Sequence, residues 1–147
     1  MRRSGRVSLV TVIALMAIAM VVVVLAFARV SVSTIGSQFM DALARSDVDT
    51  LTKMTYLGNE TPEQIHKQWE YTTQVPGKNY NFNWRVVGDS QPSETSATVR
   101  VMVTRNLGNN GNYEENFALP LIKIGETWKV DVGGISHEMY PGLPRVR

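Results

Sequence analysis

At 147 residues and 16.4 kDa the chain has room for one domain of ordinary size. Hydrophobic residues make up 44% and charged residues 19%, which excludes a disordered tail or a low-complexity polymer. Setting aside Arg2, Arg3, Arg6 and Arg29 leaves eleven Lys and Arg against thirteen Asp and Glu, a formal charge of −2. The remainder thus lacks the concentrated positive footprint of a nucleic-acid-binding domain. Absence of cysteine removes disulfides, thiolate catalysis and Cys-ligated metals.

Residues 1–6 form a basic leader, and Val7 to Ala28 carry no charge, with Ser8 and Thr11 the only polar side chains. A helix over 7–28 would reach about 33 Å, enough for a hydrocarbon core of roughly 30 Å. The arginine bias predicts a transmembrane anchor with its N-terminus in the cytoplasm and the rest of the chain outside it, a bacterial inner membrane being expected. Ala26-Phe27-Ala28 also fits a signal-peptidase site, so a cleaved signal is the competing reading. On the anchor, Ala14 and Ala17 are small enough to let a partner helix approach.

After a stem at 29–33, three helices are expected. In Ser33–Arg45 an apolar face is formed by Ile35, Phe39, Ala42 and Leu43. The second begins at Ser46-Asp47-Val48-Asp49 with Ser46 as its cap, buries Val48 and Leu51, and stops at Gly58. Thr61-Pro62-Glu63-Gln64 marks the third with an N-cap, a first-turn proline and a capping-box glutamine. Ile65, Trp69 and Thr72 face inward along it, and Pro76-Gly77 ends it.

The period then changes to two. Tyr80, Phe82, Trp84 and Val86 form one inward row, followed by turn residues 88–93. Ala97, Val99, Val101 and Val103 form the next; the loop Gly108–Asn112 leads to Tyr113, Glu115, Phe117, Leu119 and Leu121. Pro120 implies an edge or a bulge. Gly125-Glu126 turns into Trp128, Val130 and Val132. About four antiparallel strands with one apolar face, covered by three helices, give an α+β domain over 34–133. A Pro/Gly-rich tail, 134–147, follows. Its apolar residues either fold back on their own domain or, through Met139, Tyr140 and Leu143, order against a partner.

Helices containing Phe39–Asp47, then a curved meander ending in Leu119–Asp131 with a G-x-x-W-K-V-D close, resemble the NTF2-like (cystatin-like) superfamily. The resemblance implies that Trp128 fills the space between sheet and helix. It also implies a conical pocket where enzymes of this fold place an Asp base with Tyr, His or acid donors. The inward rows offer no Asp or His, so no catalytic residue is assigned. Tyr80, Tyr113 and Glu115 remain as a pocket rim. His66 with Glu70 reads as a surface pair. A metal site from His66, His137 and Glu138 is disfavoured, and no metal or other cofactor is expected.

Two functions follow. The first is a non-enzymatic, single-span accessory or scaffold subunit of a larger membrane complex, acting through other subunits by protein–protein contact. The second is an exported small-ligand-binding protein or pocket enzyme, which requires an open cavity.

Overall fold

The computed structural model describes the backbone of residues 9–27 and 31–147, and side chains from Val10 to Val21 and from Ser31 onward. They fall into two separate units, divided after Val30.

The first unit holds helix α1 (Leu9–Phe27), whose residues from Val10 to Val21 are all exposed, Ala14 and Ala17 among them. Among the described residues no helix is long and apolar enough to cross a membrane. The transmembrane helix expected over 7–28 is therefore corrected. Although α1 is apolar, its 19 residues extend about 28 Å, short of the roughly 30 Å hydrocarbon core. The membrane contact and the cellular location inferred from that span lose their support. The basic leader, the cleavage point at Ala28 and the start of the stem lie outside the described residues.

The second unit begins with helices α2 (Val32–Ala44) and α3 (Val48–Met54), a two-residue strand β1 (Thr55–Tyr56), and helix α4 (Pro62–Gln74). Strands β2 (Asn83–Ser90), β3 (Ser96–Asn106), β4 (Asn112–Ile124) and β5 (Thr127–Asp131) follow. The sheet order is β1-β5-β4-β3-β2, antiparallel except for β1, which runs parallel to β5. The fifth strand escapes the periodicity because two residues are too few to alternate.

Each helix boundary has a local cause. Ser46, expected to cap α3, instead takes a left-handed φ of 55°. There it closes α2, the N–H of Asp47 reaching the Ala42 carbonyl at 2.9 Å. Asp47 is the cap: its carboxylate accepts from the Thr50 N–H and hydroxyl at 3.1 and 2.7 Å. Leaving α3, the chain turns directly into β1 and does not continue to Gly58. At α4 the expected capping box is present in both directions, Gln64 N–H to Thr61 and Thr61 N–H to Gln64.

On the sheet, Val99 opposes Leu119, Val101 opposes Phe117 and Ala97 opposes Leu121, all buried as alternation requires. Burying such a side chain fully contributes about 1.5–3 kcal/mol. Phe39, Met40, Leu43 and Trp69 cover this face from the helices, and α2 comes so close that a Cβ on Gly36 would overlap Val99. Trp69, with an edge-on contact to Phe39 at 6.0 Å, holds the centre. Trp128, expected to fill that space, is only partly buried at the margin, with Lys123 Nζ 5.9 Å above its ring.

β2 is an edge strand and carries a bulge between Val86 and Gly88, so pairing continues to Ser90 where a turn was expected. Pairing starts only at Asn83, leaving Tyr80 and Phe82 in the approach to the strand. Pro120 sits in a central strand without a register shift. Its section of β4 has β3 on one side, while pairing with β5 begins at Leu121, so the missing N–H faces the end of the β5 ladder.

Candidate functional site

Sheet and helices converge on an apolar interior, and the question is what stands at its mouth. Tyr80 and Phe82 arrive there because α4 ends in a tight turn, the N–H of Gly77 bonding Thr72 O at 2.8 Å and that of Tyr80 bonding Gly77 O at 3.0 Å. From β3 comes Arg105, at the same parity as Val99, Val101 and Val103. Glu115 enters from β4, opposite Val103.

Arg105 organises the group. Its guanidinium lies 5.5 Å from the Phe117 ring centre, 5.9 Å from that of Tyr80, and 3.9 Å from the Glu115 carboxylate. It also donates to the Glu138 carbonyl of the tail. The tail fills the remaining space. Tyr140 packs edge-on against Tyr80 at 5.2 Å and Phe82 at 5.9 Å, and the Tyr80 hydroxyl donates to Met139 O at 3.2 Å. Thr72 donates to Gly142 O at 2.5 Å, fixing the turn beyond.

Of the expected rim, Tyr80 and Glu115 come together, whereas Tyr113 lies further along β4 and is 48% exposed. Met139, Tyr140 and Leu143, considered as partner contacts, are each at most 5% exposed and buried in their own domain. Sequence reading missed Arg105. Its alternation with the valines was visible, but a charged residue at an inward position is legible only once its partners are known.

Burial pushes both phenols up: Tyr80 is partly relieved by Arg105, Tyr140 by Ser46. Both hydroxyls therefore remain protonated donors at neutral pH. The mouth gathers one guanidinium, one carboxylate and two phenols beside two carbonyls of the chain itself, those of Glu138 and Met139. Its chemistry is that of a clamp.

His66 bonds Asp49 at 3.3 Å, not Glu70. No group of three metal-ligating side chains occurs among the described residues, and His137 is exposed on the tail. Among the described residues, cavities of about 450 Å³ lie elsewhere. One lies between α4 and the tail, another beside α3, β1 and the start of α4.

No family model matches the chain, and no curated protein does. Solved structures do. An uncharacterized protein with a cystatin-like fold from Caulobacter vibrioides is similar at a TM-score of 0.53 and 9% identity, covering 67% of this chain and 81% of that one. A domain of unknown function with a cystatin-like fold from Nostoc punctiforme gives 0.50 and 12%, covering 68% and 70%. An NTF-2 like protein of unknown function from Shewanella oneidensis gives 0.46 and 14%, covering 67% and 90%. At these identities the likeness is one of fold alone. The helices and curved sheet that follow α1 have a cystatin-like fold.

Proposed function

We propose that the chain is a non-enzymatic accessory or scaffold subunit of a larger protein assembly, working by protein–protein contact. The observation that carries this reading is the filling of the mouth by the chain's own tail. Met139 and Tyr140 are each 1% exposed there. The polar groups that converge at the mouth meet the tail: Arg105 Nη2 and the Tyr80 hydroxyl donate to its backbone carbonyls, while Arg105 Nε is buried without a partner. What the domain offers outward is surface.

Cross-linking in the cells that make the protein, followed by mass spectrometry, tests the proposal. Links from the exposed amines of Lys53, Lys67 or Lys78 to one recurrent protein are expected. Recovery of the chain alone, together with saturable uptake of an apolar fluorescent probe at the mouth, would replace this reading with small-ligand binding.

A further inference from the structure

The hairpin that joins β3 to β4 carries the run Asn109-Asn110-Gly111. Asn110 is the only asparagine of the sequence that a glycine follows. That order sets a side-chain amide carbon next to a backbone nitrogen whose residue has no Cβ to hinder an approach.

The turn is built on its glycines. Gly108 and Gly111 take left-handed φ angles of 64° and 82°, and a Cβ on either would meet nothing within 4 Å. Gly108–Asn110 form a single 3-10 turn, and residues 106–114 are all exposed. Few bonds close it. The N–H of Gly111 donates to Gly108 O at 3.1 Å, that of Asn110 to Leu107 O at 3.4 Å, and that of Leu107 to Gly111 O at 2.9 Å. Asn106 Oδ1 is engaged by the Gly108 N–H at 2.7 Å. Among the described residues the Asn110 side chain has no such partner.

Exposed bonds in a short turn open locally, without unfolding the sheet behind them. Opening frees the Gly111 N–H from Gly108 O and lets the backbone of Asn110 rotate until its Cγ meets that nitrogen. The asparagines of the strands lack this freedom. Asn83, Asn112 and Asn116 are held in the ladder, and each precedes an aromatic residue.

We propose that Asn110 is a site of covalent self-modification, converting to aspartate and isoaspartate through a cyclic imide with Gly111. Hydroxide takes the Gly111 N–H proton, and the nitrogen bonds to Asn110 Cγ. The Cγ–Nδ2 bond breaks, and Nδ2 gains a proton from water and leaves as ammonia. Water then opens the ring. Cleavage at Cγ gives aspartate, whereas cleavage at the main-chain carbonyl gives isoaspartate and routes the chain through the side-chain carbon. Either product adds a carboxylate to the loop. Isoaspartate also lengthens the backbone just before Asn112, whose pairing with Asn106 ends the ladder.

The test incubates the full folded chain in mildly acidic and mildly alkaline buffer. Peptide mass spectrometry locates the loss of ammonia, and an isoaspartyl methyltransferase assay counts the isoaspartate. Asn110 is expected to react about tenfold or more ahead of any other asparagine, and faster in alkali because a proton must leave first. Its rate should lie within about tenfold of that in the urea-unfolded chain, since only the turn has to open. Asn110→Gln, whose ring would need one more atom, should abolish the isoaspartyl signal and leave the backbone bonds of the turn in place. Modification spread evenly over the asparagines, a signal that survives Asn110→Gln, a rate indifferent to pH, or reaction only after global unfolding would each overturn the proposal.

Discussion

The Tyr140 hydroxyl stands where a side chain on Gly77 would begin, so the end of α4 and the tail share one small volume. A Cβ at 77 would collide with the phenol and press on the Thr72 carbonyl. This contact couples a helix terminus to a segment more than sixty residues away. It also explains why the tail belongs to the core and does not hang free.

Gly77→Ala should therefore cost about 1–3 kcal/mol, the usual penalty for overpacking. Limited proteolysis should show the first new cuts in residues 136–147, ahead of any cut in the sheet. Wild-type protease resistance of that segment would show that the tail is held independently of Gly77.

Trp69 donates from its indole to Thr55 Oγ1 at 2.8 Å, and the Thr55 hydroxyl in turn donates to Leu51 O at 2.7 Å. Thr55→Val keeps the shape and removes both bonds, leaving the buried indole N–H alone. A loss of about 1–3 kcal/mol in urea unfolding is expected. An unchanged midpoint would mean that the hydrogen bond contributes nothing net.

The capping box at α4 predicts coupling. Thr61→Ala should cost about 1 kcal/mol, and adding Gln64→Ala should cost less than it does alone. Strict additivity in the double-mutant cycle would show that the two reciprocal bonds act separately.

Stability should fall at alkaline pH. Burial raises the folded-state pKa of Tyr80 and Tyr140 above the ordinary value of 10.0. Their contribution is thus complete below about pH 10 and is lost as pH rises through the raised values. Tyr80→Phe should flatten that decline, with phenolate absorbance tracking it. A decline of the same slope in the variant would rule out Tyr80 as its source.

Asp47 acts with the opposite sign. The hydroxyl and N–H of Thr50 hold its pKa below 3.8, helped by Arg45 and Lys53 and opposed by partial desolvation. Its contribution is present above that value and lost as pH falls through the lowered one. Asp47→Asn should make thermal stability less sensitive to acid. An identical acid limb in wild type and variant would leave the cap without an electrostatic share.

Local rules were sufficient wherever a residue acts on its neighbours. The Thr61-Pro62-Glu63-Gln64 start of α4, the alternation of Ala97 to Val103, and the inward Ile65, Trp69 and Thr72 could all be read directly, because caps and periodicity are properties of a few adjacent residues. Ser46 and Asp47 were harder to separate, since both residue types can cap and only the left-handed turn at 46 decides between them.

Other features required the whole fold. The parallel pairing of Thr55 and Tyr56 with β5, the central position of Trp69 in place of Trp128, and the burial of Met139, Tyr140 and Leu143 depend on contacts between distant segments. So do the clamp at Arg105 and the unpartnered atoms of Glu60 and Gln68. The amino-acid sequence by itself determined the α+β class, the helix starts and the faces of the strands, because these follow from nearest-neighbour sterics and hydrogen bonding. Only the tertiary structure decided that the tail closes the mouth and which polar atoms stay unmatched. Burial is a sum over partners that the chain brings together only when it folds.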